Sequence, residues 1–322
     1  MSTIKKKFIS IVGFAYRFGL RHFGGMGLQR VWPFGQVRTW MDARLKVHDW
    51  PESYNIDGHI FYPPESMRMS FAQFMGKREE LEFRLFEREI SKGGTVIDVG
   101  ANIGYYCLPF ARAVGPRGKV FAFEPEPVNL AFLRKNVEAN GYKNVTVVPK
   151  AVGERSGTTP LFISDYNVGG HQIWDIRARI NSHSQITEDE KAMLADEHSD
   201  TPRRSIEVGL TSLDDFFCDW RNPINFVKID VEGAEGGVFS GMKNILKKNK
   251  DLKLHFEFTP AMIRLFGADP DEILKKLEGY GFKFYSLAHY KKWVNEVIHL
   301  TRRELMLRCT GNKTEEVFAK RG

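Results

Sequence analysis

The sequence has little cysteine and no long hydrophobic run. Its 322 residues include three cysteines, Cys107, Cys218 and Cys309, which lie far apart and form no CxxC pair. This excludes a disulfide framework and a cysteine zinc site, and it fits a reducing compartment. The apolar run at residues 8–16 is too short to span a bilayer, and Arg17 interrupts it. No small-x-small cleavage site follows, so no signal peptide is expected.

The main part of the chain lacks a net charge. The whole protein carries +7, and residues 1–50 account for all of it, since they hold nine lysines and arginines against two aspartates. Beyond them, basic and acidic side chains are equal in number. A nucleic-acid enzyme usually carries its positive field around the active site. No nucleic-acid partner is therefore expected.

Residues 1–24 form a basic segment that is predicted to be an amphipathic helix. Phe8, Ile11 and Ala15 share one helical face, and basic side chains cluster on the opposite face. This pattern is typical of a helix lying on an anionic membrane surface, so one interpretation is peripheral membrane contact through residues 5–23. The other interpretation is that the helix packs against the rest of the protein. In both cases we expect a cytoplasmic protein.

Strand and helix patterns alternate along the chain after residues 25–77, which we interpret as an irregular cap. Buried strands are predicted at 95–99, 119–125, 144–152, 224–231 and 252–258, and edge strands at 282–287 and 304–309. Strand–helix units of this length indicate a parallel sheet with helices on both faces. The predicted fold class is α/β, a doubly wound, mostly parallel seven-stranded sheet in residues 78–322. An N-terminal extension precedes it, and an insertion is predicted at about 175–203.

The first predicted strand ends in a loop that lacks the middle glycine of a dinucleotide fingerprint. The stretch VIDVGANIG contains Gly100 and Gly104, with Asn102 between them. Asp98, just before the loop, would repel a pyrophosphate but attract the ammonium of a methionine moiety. Glu124, at the end of the next strand, can accept hydrogen bonds from ribose hydroxyls. The pattern favours S-adenosylmethionine, and a nucleotide-dependent oxidoreductase or a non-catalytic cofactor-binding module are the alternatives.

Five motifs follow one another along the chain in a characteristic order. They are VIDVGANIGYY, VFAFEPEPVNLAFLRKNVEANG, NVTVVPKAVG, TSLDDF and VKIDVEGAEGGVFSGM. Over about residues 78–286 the chain resembles the FkbM family of S-adenosylmethionine-dependent methyltransferases, which implies a Rossmann-like class I methyltransferase fold. The resemblance assigns these residues to the cofactor: Asp98, Gly100, Asn102 and Gly104 along its methionine part, Glu124 at the ribose with Pro125 beside it, and Lys150 and Ala151 flanking the adenine.

Candidate acids and bases lie at the end of the predicted strand 224–231. Lys228, Asp230 and Glu232 alternate, so they point to one side and face the cofactor at the open edge of the sheet. A hydroxyl acceptor benefits from a base that removes its proton, and Asp230 and Glu232 are the candidates, Asp230 also being assigned to the cofactor. The alternative for Asp230 is a structural role, pairing with Lys228 or capping the next helix. His171 is a further candidate base, at a position where the family often has a small hydroxyl residue.

No metal is expected at this edge. Asp230, Glu232 and Glu257 could together bind Mg²⁺, but Lys228 or a raised pKa can relieve their repulsion instead. The sequence has no Asn/Asp-Pro-Pro-aromatic tetrapeptide of the kind found in amino-methylating enzymes. The predicted function is O-methylation of a hydroxyl on a small molecule, sugar or glycolipid, with a small-molecule or glycan acceptor as the partner. No motif specifies that acceptor.

Overall fold

The computed structural model describes residues 51–68, 79–163, 172–173, 204–286, 298–311 and 313–322. The chain divides into two compact units, residues 1–80 and 81–322. The predicted N-terminal helix at residues 1–24, the insertion at 175–203 and the candidate base His171 lie outside the described residues. These three predictions are therefore untested.

The described part of the first unit contains a small hairpin. Strands β1 (Tyr54–Ile56) and β2 (His59–Phe61) pair antiparallel. Asp57 and Gly58 connect them, with φ of 49° and 82°. Positive φ at both central residues matches the turn twist that a two-residue hairpin requires. A single 3₁₀ turn follows at Glu65–Met67.

The described part of the second unit contains two sheets. In chain order the strands are β3 (Thr95–Val99), β4 (Lys119–Phe123), β5 (Val145–Val148), β6 (Ala151–Val152), β7 (Gly157–Phe162), β8 (Ser205–Thr211), β9 (Ile224–Ile229), β10 (Lys253–Phe258), β11 (Phe282–Ser286), β12 (Ile298–Leu300) and β13 (Glu315–Arg321). The central sheet has the order β12-β11-β13-β10-β9-β3-β4-β5, and the smaller sheet has the order β6-β8-β7. Strands β10, β9, β3, β4 and β5 run parallel, whereas β13 lies antiparallel between β10 and β11.

Helices connect these strands. They are α1 (Glu79–Glu89), α2 (Cys107–Val114), α3 (Pro127–Ala139), α4 (Leu213–Phe216), α5 (Glu235–Ser240), α6 (Lys243–Lys248), α7 (Pro260–Phe266), α8 (Pro270–Gly279) and α9 (Arg302–Arg308). The residues at their first turns explain where some of them begin. Helices α3 and α8 each begin at a proline that follows an acidic N-cap, Glu126 and Asp269 respectively. Across the described ranges, no helix combines the length and the apolarity needed to cross a membrane.

The predicted α/β class is confirmed, but four details differ. The central sheet has eight strands because the three-residue β12 is added at its edge. Residues 304–309, predicted as an edge strand, lie mainly in α9, which begins at a capping box formed by Thr301 and Glu304. Strand β13 was not predicted. The predicted strand at 144–152 is divided into β5 and β6, which belong to different sheets.

The two faces of the central sheet differ in character. Ile97 and Val99 on β3 point to the main apolar core, so Asp98, between them, points to the opposite face. Asp98 is paired in register with Lys228 on β9, and Lys228 with His255 on β10. All three side chains are buried. A row of ionisable groups therefore crosses three central strands just before their carboxyl ends.

Candidate functional site

The loop after β3 is fixed to the end of β4. The N–H groups of Gly100 and Ala101 donate to the carbonyl of Phe123 at 3.1 and 2.9 Å. Asn102 has a left-handed φ of 49°, and its N–H donates to Glu124 Oε2 at 2.8 Å. Asparagine tolerates this conformation better than most residues. The loop therefore lies at the carboxyl edge of the sheet, where open α/β sheets bind ligands.

Gly100 and Gly104 allow the loop to pack this closely. Their φ values are 79° and 96°. A Cβ on Gly100 would lie 1.9 Å from the carbonyl oxygen of Asp230, and one on Gly104 would lie 2.9 Å from Leu133 Cδ1. The close approach that requires Gly100 is thus made by the protein's own backbone at the end of β9. Contact of either glycine with the cofactor stays a prediction.

Glu124 is the acid that joins the loop to β4. Its side chain is buried, and Oε1 accepts a hydrogen bond from the N–H of Glu126 at 2.9 Å, while Oε2 accepts the bond from Asn102. Burial raises the pKa of Glu124 to about 7, and these two backbone N–H groups limit the rise. Each carboxylate oxygen has a second lone pair. Glu124 can therefore accept two further hydrogen bonds.

Lys228 is a buried cation between two carboxylates. Its Nζ lies 3.1 Å from Asp230 Oδ2 and 3.8 Å from Asp98 Oδ1, and 4.7 Å from the centre of the Tyr106 ring. Burial disfavours the ammonium, but the two carboxylates outweigh burial and raise the pKa of Lys228. Burial also raises the pKa of Asp98 to about 6, against the opposing charge of Lys228. The pairing with Lys228 that we predicted as the alternative for Asp230 is present.

The loop after β9 turns at Glu232 and Gly233, whose φ values are 54° and 98°. Glu235 is buried, and its Oε1 accepts from the N–H groups of Val231 and Gly233, both at 3.2 Å. Burial raises the pKa of Glu235 to about 7. Through these two hydrogen bonds, the buried Glu235 side chain stabilises the conformation of the loop after β9. Glu232, a predicted base, is partly buried at the turn itself.

The residues assigned to the adenine follow β5 directly. The N–H of Glu124 donates to the carbonyl of Val148 at 3.1 Å, which places the ends of β4 and β5 side by side. Lys150 is exposed, and Ala151 is buried and paired with Leu210 in the smaller sheet. The assigned residues thus occupy three adjacent strand ends, together with the partly buried Pro125. Their contacts with adenine stay a prediction.

Sequence reasoning missed the ion pair between Asp98 and Lys228. The two residues come together only through the pairing of β3 with β9, which no local pattern reveals. A signal was nevertheless present, since each is a single charge inside an apolar strand of the sheet interior. A buried charge is stable only when it is paired, and two such charges of opposite sign in central strands are natural partners.

The residues present fit S-adenosylmethionine. Neither carboxylate oxygen of Asp98 has a hydrogen-bond partner among the described residues, although its side chain is 0% exposed. A buried acceptor without a hydrogen bond costs about 1–3 kcal/mol of stability, more if it is charged. Binding of a cationic donor to Asp98 would therefore be favourable. Asp98 would hold the ammonium group and Glu124 the ribose hydroxyls. In the described part of the chain, no three His, Cys, Asp or Glu residues are grouped to hold a metal ion.

Comparison with known proteins identifies the family of this chain. Residues 98–284 match the profile described as Methyltransferase FkbM domain. Methyltransferase 1 of Beauveria bassiana is 26% identical over 149 residues, which are 46% of this chain and 57% of that protein. The 31-O-demethyl-FK506 methyltransferase FkbM of Streptomyces tacrolimicus is 30% identical over 183 residues, which are 54% of this chain and 69% of that protein. Methyltransferase sdnD of Sordaria araneosa is 28% identical over 208 residues, 62% and 78% of the two chains. The chain thus spans little more than half the length of the first of these relatives.

Proposed function

Because the matching profile covers more than half of the chain, this protein belongs to the FkbM methyltransferase family, and on that premise we propose that it methylates a hydroxyl oxygen of its acceptor. The predicted family is confirmed, and with it S-adenosylmethionine as the cofactor. This cofactor supplies an electrophilic methyl group on a sulfonium. The proposed acceptor is a small molecule, a sugar or a glycolipid.

One observation supports the cofactor site on which this proposal depends. The 2.8 Å bond from the Asn102 N–H to Glu124 Oε2 ties the loop after β3 to the acid that ends β4. This bond fixes Glu124 beside the loop that follows the unsatisfied carboxylate of Asp98. One acid for an ammonium group and one for a pair of hydroxyls, at adjacent strand ends, is the arrangement that an amino-acid nucleoside needs.

The charged residues have separate tasks in this proposal. Asp98 and Glu124 bind the cofactor, and Lys228 balances the negative charge of Asp98 and Asp230. The Asp230 side chain is 39% exposed at the open edge, and its charge is already matched by Lys228. We therefore propose that Asp230 orients the acceptor. Much of the rate gain in an in-line displacement comes from holding the two reactants at close range.

Oxygen is the favoured acceptor atom for two reasons. The name of the Streptomyces tacrolimicus relative describes a methyltransferase for an O-demethylated substrate. The open edge also carries carboxylates, Asp230, Glu232 and Glu257, which can take the proton that a hydroxyl must lose. A nucleic-acid acceptor is not proposed, because the excess positive charge lies in residues 1–50.

Calorimetric titration with S-adenosylhomocysteine tests the cofactor site. The wild-type protein is expected to bind it, and Glu124→Gln is expected to lower the affinity at least about tenfold, since hydrogen bonds to a charged group contribute about 1.5–3 kcal/mol each. Asp214→Asn is the matched control, because Asp214 also accepts backbone N–H bonds, from Asn244 and Ile245, but at the start of α6. The control should lose stability and keep its affinity.

The acceptor class is tested with methyl-labelled S-adenosylmethionine and a panel of phenols, free sugars and glycolipids. We expect label on a hydroxyl oxygen of at least one class. No affinity of the wild-type protein for either form of the cofactor would remove the proposal. Affinity without transfer to any hydroxyl would favour the non-catalytic binding module, and hydride transfer from a nicotinamide cofactor would favour the oxidoreductase.

A further inference from the structure

Two rows of charged or ionisable side chains cross the same face of the central sheet. The first row is Asp98, Lys228 and His255, and the second row, nearer the carboxyl edge, is Asp230, Glu257 and Glu316. Phe256 pairs with Ile229, so Glu257 and Asp230 are the next residues of neighbouring strands. Glu257 and Glu316 are themselves a registered pair. Glu257 therefore lies between two other carboxylates, at the spacing of adjacent strands, about 4.8 Å.

The first row supplies partners to the two outer carboxylates of the second. Lys228 Nζ lies 3.1 Å from Asp230 Oδ2, and His255 Nε2 lies 3.1 Å from Glu316 Oε2. Glu257 has neither a hydrogen bond nor an ion pair through its side chain with any residue that the structure describes. It is also only partly buried, so it is reachable from the open edge.

The surroundings of Glu257 favour its protonated form. Burial raises the pKa of Glu257 well above its ordinary value, and neighbouring negative charges raise it further. The charged or ionisable groups around it come from four elements and one loop. They are Asp230 and Glu232 from the end of β9 and the loop after it, Glu235 from the start of α5, Glu316 from β13, Lys228 from β9 and His255 from its own strand. A carboxylate whose pKa is raised in this way is a stronger base than an ordinary one.

We propose that Glu257 is the general base of the methyl transfer, an inference that rests on the function proposed above. The proton of the acceptor hydroxyl passes to a carboxylate oxygen of Glu257 while the acceptor oxygen forms its bond to the methyl carbon. The electron pair of the broken carbon–sulfur bond remains on sulfur, and the proton leaves Glu257 for water after release of the product. The unsatisfied, fully buried Asp98 in the first row indicates independently that this face receives a ligand.

Three measurements on the full chain, none of which needs a known acceptor, test this role. The protein is labelled with carboxyl-¹³C glutamate, saturated with S-adenosylhomocysteine and titrated by NMR. The resonance that is missing in Glu257→Gln should have a midpoint well above that of an ordinary glutamate, and Glu316→Gln, which removes one neighbouring charge, should lower that midpoint. Coupling of glycine methyl ester by a carbodiimide near neutral pH should label Glu257 in the saturated protein. Calorimetry should give Glu257→Gln an affinity for S-adenosylhomocysteine within about threefold of wild type.

The outcomes of these measurements distinguish a general base at position 257 from a residue that binds the cofactor. An ordinary midpoint for Glu257, or labelling that S-adenosylhomocysteine blocks, would overturn the proposal. A loss of affinity of tenfold or more in Glu257→Gln would instead make Glu257 part of the cofactor site. Failure of the wild-type protein to bind S-adenosylhomocysteine would refute the proposed function, whereas the NMR titration of the unliganded chain would still report on Glu257 alone. With an acceptor from the panel above, Glu257→Gln should lower kcat by about 10²–10⁴-fold and leave KM for S-adenosylmethionine unchanged.

Discussion

At the level of single residues, the site depends on backbone contacts as much as on charge. Gly100 is the clearest case, because a Cβ there would lie 1.9 Å from the carbonyl oxygen of Asp230, and neither backbone segment can move without disturbing a strand end. Lys228 holds the same two strands together by charge. Gly100 and Lys228 therefore position Asp98 and Asp230 from two directions.

Gly100→Ala is expected to destabilise the protein by ~2–4 kcal/mol, because it adds a steric clash to the strain of a positive φ. Gly93→Ala is the matched control, since Gly93 has a φ of 77° and a Cβ added there would meet no atom within 4 Å. It should lose only ~1–2 kcal/mol, the strain alone. Urea unfolding of both variants measures the difference. Equal losses would show that the contact with Asp230 can relax.

At the level of elements, the parallel core was predictable from the sequence because its strands are short apolar runs. TVIDV and INFVKI are nearly continuous runs of buried residues, as expected for strands covered on both faces. The cofactor loop was predictable for the same reason, since it directly follows the first of them. The acids Asp98 and Glu124 were placed at adjacent strand ends by this reasoning alone.

The C-terminal elements were not predictable in the same way. Strand β13 reads EEVFAKR, with charges at both ends. Both of its glutamates have partners that are distant in sequence: Glu315 accepts a hydrogen bond from Ser286, and Glu316 faces His255. Arg321 donates to backbone carbonyls of Leu246, Asn249, Lys250 and Tyr280. Strand propensity depends on such neighbours, and none of them is close in sequence.

The pairing within the candidate site was unpredictable for a related reason. Lys228 and Asp230 are two residues apart, so their contact was foreseen as an alternative. Asp98 joins the first row, and Glu316 the second, from distant parts of the chain. The order of β3, β9, β10 and β13 across the sheet determines which charges meet. Residue spacing within one strand gives the face of a side chain and does not give its cross-strand partner.

The N-terminal segment offers a test at the scale of one element. Residues 5–23 are proposed to bind an anionic membrane surface, because basic side chains near such a surface contribute ~1 kcal/mol each. The full chain should co-sediment with phosphatidylglycerol vesicles and should be released by high salt. Deletion of residues 1–24 should abolish the binding, and phosphatidylcholine vesicles serve as the uncharged control. Undiminished binding of the deletion variant would refute the membrane role.

At the level of the whole molecule, several buried carboxyl groups act together on stability. Burial raises the pKa of Asp98 to about 6 and that of Glu124 and Glu235 to about 7 each. In the unfolded chain these groups have pKa values of about 4. Between those limits the native protein binds more protons than the unfolded chain, so stability falls as the pH rises. The charge arrangement that suits a cofactor thus destabilises the unliganded protein at neutral pH.

Stability without cofactor is therefore expected to be highest near about pH 4, to decline up to about pH 7 and then to level off. Each of these buried groups contributes on the order of 3 kcal/mol between its unfolded and its folded pKa. Thermal melts between pH 5 and pH 8 measure this slope. Glu235→Gln should flatten it, because the amide oxygen can still accept the N–H bonds of Val231 and Gly233 but no longer titrates. Glu138→Gln, at an exposed position, should leave the slope unchanged. A melting temperature that rises from pH 5 to pH 7 would mean that these carboxyl groups are ionised in the folded protein, and that the cofactor edge is already solvated before any ligand arrives.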